Sequence, residues 1–236
     1  MIYMSQQDID RIGDSVLADY AMMNPGSFGF PFNIELFALI YLGLRIDYRK
    51  LSDDGSVLGL TSYEGITVKL PLNDGESEIY VPDDTIYLDE MLRAPDKIAL
   101  RRFTIAHECG HQLLARIEER RTGYSLRRHF EPGKQYTYGE IKAAEYVGEW
   151  QANAVAAALL MPKSALTQHF SRWRDPHKLT SYGGRFNLPD YKKLMELTGL
   201  FNVSRTAMKI RLKEIGHIVY KPKSEYRSDP LDIFVS

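Results

Sequence analysis

Two stretches near the start of the chain have the hydrophobic spacing of amphipathic helices. Between residues 5 and 20, apolar side chains recur every three or four positions and charged side chains lie on the opposite side. This pattern predicts a helix that docks on the rest of the protein. A second helix is predicted over 33–42, where Asn33 is a suitable N-cap and Gly43 ends the run.

The pattern changes to that of short β-strands between residues 44 and 88. Segments rich in Val, Ile, Leu and Tyr are separated by turn-forming sequences such as DDG and NDG. Five strands are predicted, with the sequences LRIDYRKL, SVLGLTSY, GITVKLPL, SEIYV and TIYLDE. We expect a small, mostly antiparallel sheet whose strand order the sequence leaves open.

Long helical patterns return after the strands. One helix is predicted over 96–122 and another over 140–161, where Pro162 ends the helix because proline has no backbone donor. The segment 123–139 between them has no regular period, and we interpret it as a loop that forms a gate. Two long helices packed on a small sheet define an α+β fold.

The C-terminal part of the chain has a different pattern. It is polar and irregular up to residue 189, and the following sequence to residue 216 predicts two short helices joined by a turn. We therefore expect two regions, 1–165 with the sheet and long helices, and 166–236, which is mainly helical. The helical pair resembles a helix-turn-helix.

Composition and charge narrow the class of protein. A chain of 236 residues with 44% hydrophobic residues can bury a substantial core. The net charge of −1 excludes a global basic field of the kind that drives nonspecific binding to nucleic acids or anionic membranes. Because Cys109 is the only cysteine, an intramolecular disulfide and a cysteine-rich zinc site are excluded.

The start of the chain lacks the features of a signal peptide, and its longest apolar run, IELFALIYLGL, is about half the length that a membrane span requires. Together with the single cysteine, this predicts a cytoplasmic protein without a membrane anchor.

A possible metal site lies in the sequence FTIAHECGHQLL at residues 103–114. Residues four apart share one face of a helix, so His107 and His111 can both direct a nitrogen at one Zn²⁺ ion. Glu108 lies about 100° around the helix from His107, where it can take a proton from a water on that ion. The alternative is two buried structural histidines, but Glu108 would then be costly to bury between them.

A catalytic zinc ion needs a third protein ligand, which the motif itself does not supply. The metzincin pattern would require Gly and His where this chain has Leu114 and Ile117. The helix EYVGEWQANAVAAALLMP offers two carboxylates, Glu149 and, one turn earlier, Glu145. Its many alanines would let it approach the first helix closely. Gly110 costs about 1 kcal/mol in a helix, which also indicates that another backbone passes nearby.

Three segments resemble the ImmA/IrrE family of zinc metallopeptidases. RRFTIAHECGHQLL is similar to that family's helix of type rrFtiAHElgH, and EWQANAVAAALLMP is similar to its E-x-x-A-N-x-x-A-x-x-LLMP helix. VSRTAMKIRLKEIG resembles the family's terminal segment more loosely. The resemblance implies that Glu149, four residues before Asn153, is the third zinc ligand. It also implies site-specific cleavage of a regulatory protein, in particular a DNA-binding repressor.

Two features depart from the family. A long insert of 37 residues separates His111 from Glu149, and no repressor-type helix-turn-helix is recognisable at the N-terminus. Chemistry alone leaves several side chains open as the group that stabilises the oxyanion: Tyr136, Tyr138, Tyr146, His129 and His169.

A second hypothesis is a metal-binding regulatory protein that binds DNA or a repressor through its C-terminal helices without cutting it. Between residues 188 and 216, six basic residues outnumber three acidic ones: Lys192, Lys193, Arg205, Lys209, Arg211 and Lys213, against Asp190, Glu196 and Glu214. We favour the interpretation that these helices pack on the peptidase, because the patch is small. A metal-free scaffold that holds a repressor is a third possibility.

Overall fold

The computed structural model describes residues 3–26, 29–62, 65–70, 72, 77–122, 135–137, 146–174 and 177–226. The chain divides into two compact units, Met1–Leu160 and Met161–Ser236. None of the helices described in either unit is long and apolar enough to cross a membrane.

The first unit contains the four helices that the apolar spacing predicts. They are α1 (Gln6–Met23), α2 (Ile34–Ile40), α3 (Ile98–Thr122) and α4 (Tyr146–Leu160). Asn33 caps α2 as predicted, since its side chain accepts a hydrogen bond from the backbone N–H of Leu36 at 3.0 Å. The predicted start of α3 at residue 96 is instead part of a short 3₁₀ turn, Pro95–Lys97.

All five predicted strands form. A sixth lies within 123–139, the segment that the sequence predicts to be a loop that forms a gate, and the remainder of that segment lies outside the described residues. The strands are β1 (Arg45–Arg49), β2 (Gly59–Thr61), β3 (Ile66–Leu70), β4 (Ser77–Val81), β5 (Thr85–Asp89) and β6 (Gln135–Thr137). The six strands divide between two three-stranded sheets with the orders β1-β5-β2 and β4-β3-β6. Two of the three pairings among the five predicted strands are antiparallel, as predicted, whereas β1 runs parallel to β5 and β3 also pairs in parallel with β6. The α+β class is confirmed.

The core of the sheets follows from the alternation of side chains along the strands. In β3 every second residue is buried, whereas all five residues of the central strand β5 are buried. One apolar cluster joins residues of both sheets: Leu51, Val57, Leu60, Ile66, Val68, Leu70, Val81 and Tyr87. Helix α3 lies against β2 and β5 of the first sheet.

The helices of the first unit approach one another closely at glycines. A methyl group at Gly110 of α3 would lie 2.8 Å from the carbonyl oxygen of Ala152 in α4. A methyl group at Gly13 of α1 would lie 2.8 Å from the Cβ of Ala158, on the same helix α4. The predicted close approach of a second backbone at Gly110 is therefore confirmed, and alanines of α4 provide it.

The second unit is mainly helical, as predicted, and also contains a three-stranded sheet. Its elements are α5 (Lys163–Arg172), β7 (Leu179–Tyr182), β8 (Arg185–Phe186), α6 (Leu188–Phe201), α7 (Arg205–Glu214) and β9 (Ile218–Lys221). The two short helices with a turn between them are confirmed as α6 and α7. Asn202 adopts a left-handed conformation with φ 49°, and Ser204 caps α7.

The expectation of an irregular segment up to residue 189 is wrong. Helix α5 and the hairpin of β7 and β8 occupy much of this segment. Helix α5 buries only Leu166 and Phe170, one turn apart, so its apolar stripe is too short to stand out in the sequence. Strand β8 is two residues long and gives no period at all.

The contact at Gly110 gives a testable prediction for stability. We expect Gly110→Ala to lower the free energy of unfolding by about 1–2 kcal/mol, measured by urea denaturation. Overpacking typically costs about 1–3 kcal/mol, which outweighs the roughly 1 kcal/mol that alanine gains in a helix, because the contacted atoms are backbone.

Gly199→Ala in α6 is the matched control for this prediction. No atom lies within 4 Å of a methyl group placed there, so the same substitution should raise the stability by up to about 1 kcal/mol. If both variants gain stability, α3 and α4 do not approach as closely as the structure shows.

Candidate metal centre

The two histidines of the motif project from one face of α3. The Nε2 atoms of His107 and His111 lie 3.1 Å apart, and the two rings are nearly perpendicular, at 85°. This arrangement follows from their four-residue spacing, which places them one turn apart on the same face. Both side chains are largely shielded from solvent, with exposed fractions of 16% for His107 and 4% for His111.

Helix α4 brings the carboxylate of Glu149 to the same point. Its Oε2 lies 3.5 Å from the Nε2 of His107, and its Oε1 lies 3.5 Å from the Nε2 of His111. The structure thus brings together the three residues named as ligands, each of which offers one ligand atom to a shared centre. The rival carboxylate, Glu145, lies outside the described residues.

The spacing of these atoms fits a metal ion. Zinc bonds of about 2.1 Å in a tetrahedral arrangement require ligand atoms that are about 3.4 Å apart. The three measured separations, 3.1, 3.5 and 3.5 Å, lie close to this value. Two imidazoles and a carboxylate also form one of the ligand sets of catalytic zinc sites, which leaves a fourth position open. The three side chains therefore fit such an ion.

Asn153 of α4 orients the first histidine. Its Oδ1 lies 3.0 Å from the Nδ1 of His107. Because an amide oxygen can only accept, the Nδ1 of His107 carries the proton and its Nε2 presents a lone pair toward Glu149 and His111. The sequence places Asn153 four residues after Glu149, on the same face of the helix, but does not reveal this role. That shared face is the one signal in the sequence that could have indicated it.

We expect Asn153→Ala to weaken metal binding about tenfold to a hundredfold, as the loss of an outer hydrogen bond to a metal-binding histidine typically does. Competition with a chromophoric chelator measures the dissociation constant. Asn153→Asp is the control, since a carboxylate still accepts from His107 and should largely preserve affinity. An alanine variant with the affinity of the original protein would show that Asn153 does not orient the ring.

Glu108 lies beside these ligands in a cleft of about 270 Å³. The same cleft is lined by His107, His111 and Glu149, and by residues 58–61, which include β2. Glu108 is 6% exposed. At Gly59 of β2, a methyl group would lie 2.6 Å from the Oε1 of Glu108, so glycine leaves the space that this carboxylate occupies.

Comparison with models of known protein families finds a match to this chain. The model of the Peptidase_M78 family, described as the IrrE N-terminal-like domain, matches residues 64–213. The chain belongs to this family. The resemblance to ImmA/IrrE metallopeptidases is thereby confirmed, and the match includes both helices that carry the metal centre. A search of curated proteins finds no match to the chain.

The cysteine next to the metallopeptidase motif has no part in metal binding. Cys109 is fully buried, and burial raises the pKa of its thiol, with a further contribution from the negative charge of Glu108. Among the described residues, the side chains whose ligand atoms converge are His107, His111 and Glu149, and Cys109 does not belong to this group.

The other candidate residues from the sequence either lie outside the described residues or belong to the second unit. The side chains of Tyr136, Tyr138, Tyr146 and His129 lie outside the described residues. His169 belongs to the second unit, where its ring contacts Phe201.

Of the six basic residues near the C-terminus, Arg211 is fully buried, and its Nε donates to the carbonyl oxygen of Met161. Arg211 is thus unavailable to a nucleic acid.

Proposed function

We propose that this metallopeptidase is a zinc-dependent endopeptidase. His107, His111 and Glu149 hold the ion, and Glu108 is the general base. The observation that carries the proposal is the spacing of three ligand atoms at 3.1–3.5 Å with a buried carboxylate in the same cleft. Imidazole and carboxylate ligands in a tetrahedral arrangement favour zinc over magnesium or calcium, which prefer six or more oxygen ligands.

The residues of the cleft have separate roles in hydrolysis. When bound, zinc supplies Lewis acidity, which activates a water and polarises the carbonyl of the peptide bond. Glu108 takes the proton of the attacking water and passes it to the leaving amine nitrogen. Its burial keeps bulk water from competing for that proton. Asn153 holds the ring of His107 in the orientation that the reaction needs.

The strand β2 provides a place for the substrate backbone. It pairs with β5 on one side, and no strand pairs with its other side among the described residues. Because residues 58–61 line the cleft, a peptide in extended conformation can add to this edge and pass the metal. An open edge of this kind suits an endopeptidase, since the substrate extends in both directions from the cleaved bond.

We propose a DNA-binding repressor in the cytoplasm as the substrate. The resemblance to the ImmA/IrrE family supports this choice, because it implies cleavage of regulatory proteins of this kind. The single cysteine, with its neutral buried thiol, agrees with a reducing compartment.

Labelling of new N-termini tests the proposal. The purified, zinc-loaded protein is incubated with a lysate of its host cells, with and without 1,10-phenanthroline, and new N-termini are identified by mass spectrometry. We expect chelator-sensitive N-termini within a repressor. A repressor that is captured by the protein but stays uncut would instead support the binding function without proteolysis.

A further inference from the structure

One stripe of α3 follows β2 along the cleft. Thr104, Glu108 and Gln112 are four residues apart and so lie on one face of the helix. Gly59 lies over the first two of these, with methyl-group distances of 2.6 Å to the Cγ2 of Thr104 and to the Oε1 of Glu108. Gln112, one turn further, meets the other end of β2 at Thr61.

Gln112 joins α3 to β2 by two hydrogen bonds. Its side-chain amide donates to the Oγ1 of Thr61 at 2.9 Å and to the carbonyl oxygen of Ser62 at 2.8 Å. The hydroxyl of Thr61 in turn donates to the carbonyl oxygen of Thr85 in β5, at 3.4 Å. Gln112 is only 4% exposed, so water competes little for these bonds.

These hydrogen bonds stabilise β2, whose own strand pairing is limited. The strand has three residues and, within the part of the chain that the structure describes, pairs on one side only, and short edge strands open readily. Gln112 directly follows His111 in the sequence, so the same helical turn that positions a metal ligand also holds the end of β2. The side chain of Leu60 points away from α3 into the core cluster, so it cannot fix the distance between β2 and α3.

We propose that Gln112 is a positioning residue. It fixes the distance between β2 and α3 at which an extended substrate pairs with the strand while its peptide bond lies at the metal. The inference rests on the proposed function. Gln112 does not touch the metal ligands through any of these bonds, so its loss should weaken binding of the peptide backbone and leave binding at the metal unchanged.

Two inhibitors separate these contributions on the zinc-loaded protein. Acetohydroxamic acid binds the metal alone, whereas a tripeptide hydroxamate also pairs with β2. We expect Gln112→Met to weaken the tripeptide hydroxamate about tenfold or more and to change the affinity for acetohydroxamic acid by less than about twofold. Gln151→Met is the matched control, because Gln151 is buried in the same unit but accepts from the backbone N–H of Met4.

Variants of Thr61 test the same bond if Gln112→Met does not fold. Thr61→Val removes the hydroxyl and should weaken the tripeptide hydroxamate selectively, whereas Thr61→Ser keeps the hydroxyl and should restore its affinity. Equal losses for both inhibitors, or none for either, would overturn the role of Gln112. A starting protein that binds zinc but neither inhibitor would overturn the proposed function as well, and this outcome is visible before any variant is made.

Discussion

Replacement of Glu108 by glutamine is expected to lower kcat/KM for peptide hydrolysis by about a hundredfold to ten-thousandfold, while the protein keeps its metal. Glutamine has nearly the same shape, so it fits the space under Gly59, but its amide cannot accept the proton of water. Glu108 is not among the three ligands that share a centre, and the metal content should not change. Cleavage of a quenched peptide and elemental analysis measure the two quantities.

Glu118→Gln is a close control for this variant. Glu118 is also a buried glutamate of α3, at 8% exposed, but it lies ten residues, or about 15 Å, along the helix from Glu108. The control should keep full activity, since it changes the same charge in the same helix away from the cleft. Unchanged hydrolysis in Glu108→Gln would remove the general base from the proposal, and loss of the metal would reassign Glu108 as a ligand.

The features that the sequence predicts correctly depend on neighbours along the chain. The face shared by His107 and His111 follows from helical periodicity, and the cap at Asn33 from one local hydrogen bond. The five strands are visible as apolar runs between turns. Each of these signals needs fewer than ten consecutive residues, so a single sequence contains it completely.

The features that the sequence did not settle depend on contacts between distant segments. Spacing alone left Glu145 and Glu149 open, and the family resemblance was needed to choose between them. The parallel pairing of β1 with β5 joins strands about forty residues apart, and no local pattern specifies it. The contacts of Glu108 with Gly59 and of His107 with Asn153 likewise form only when separate elements pack together.

Replacement of Glu149 by alanine is expected to weaken zinc binding by more than a hundredfold. This exceeds the tenfold to hundredfold that loss of an outer hydrogen bond costs, because a direct ligand is removed. The two histidines remain 3.1 Å apart on α3, so residual binding through two nitrogens should persist at high zinc concentration. Competition with a chromophoric chelator measures the affinity, and Glu196→Ala, an exposed helical glutamate of the second unit, should leave it unchanged.

Excess zinc distinguishes this variant from Glu108→Gln. Saturating zinc should restore part of the activity of Glu149→Ala, because the ion then occupies the two histidines and Glu108 still accepts the proton. It should restore none in Glu108→Gln, whose site is already filled. If Glu149→Ala bound zinc as tightly as the original protein, the third ligand would be another group, and the centre formed by α3 and α4 would have to be assigned again.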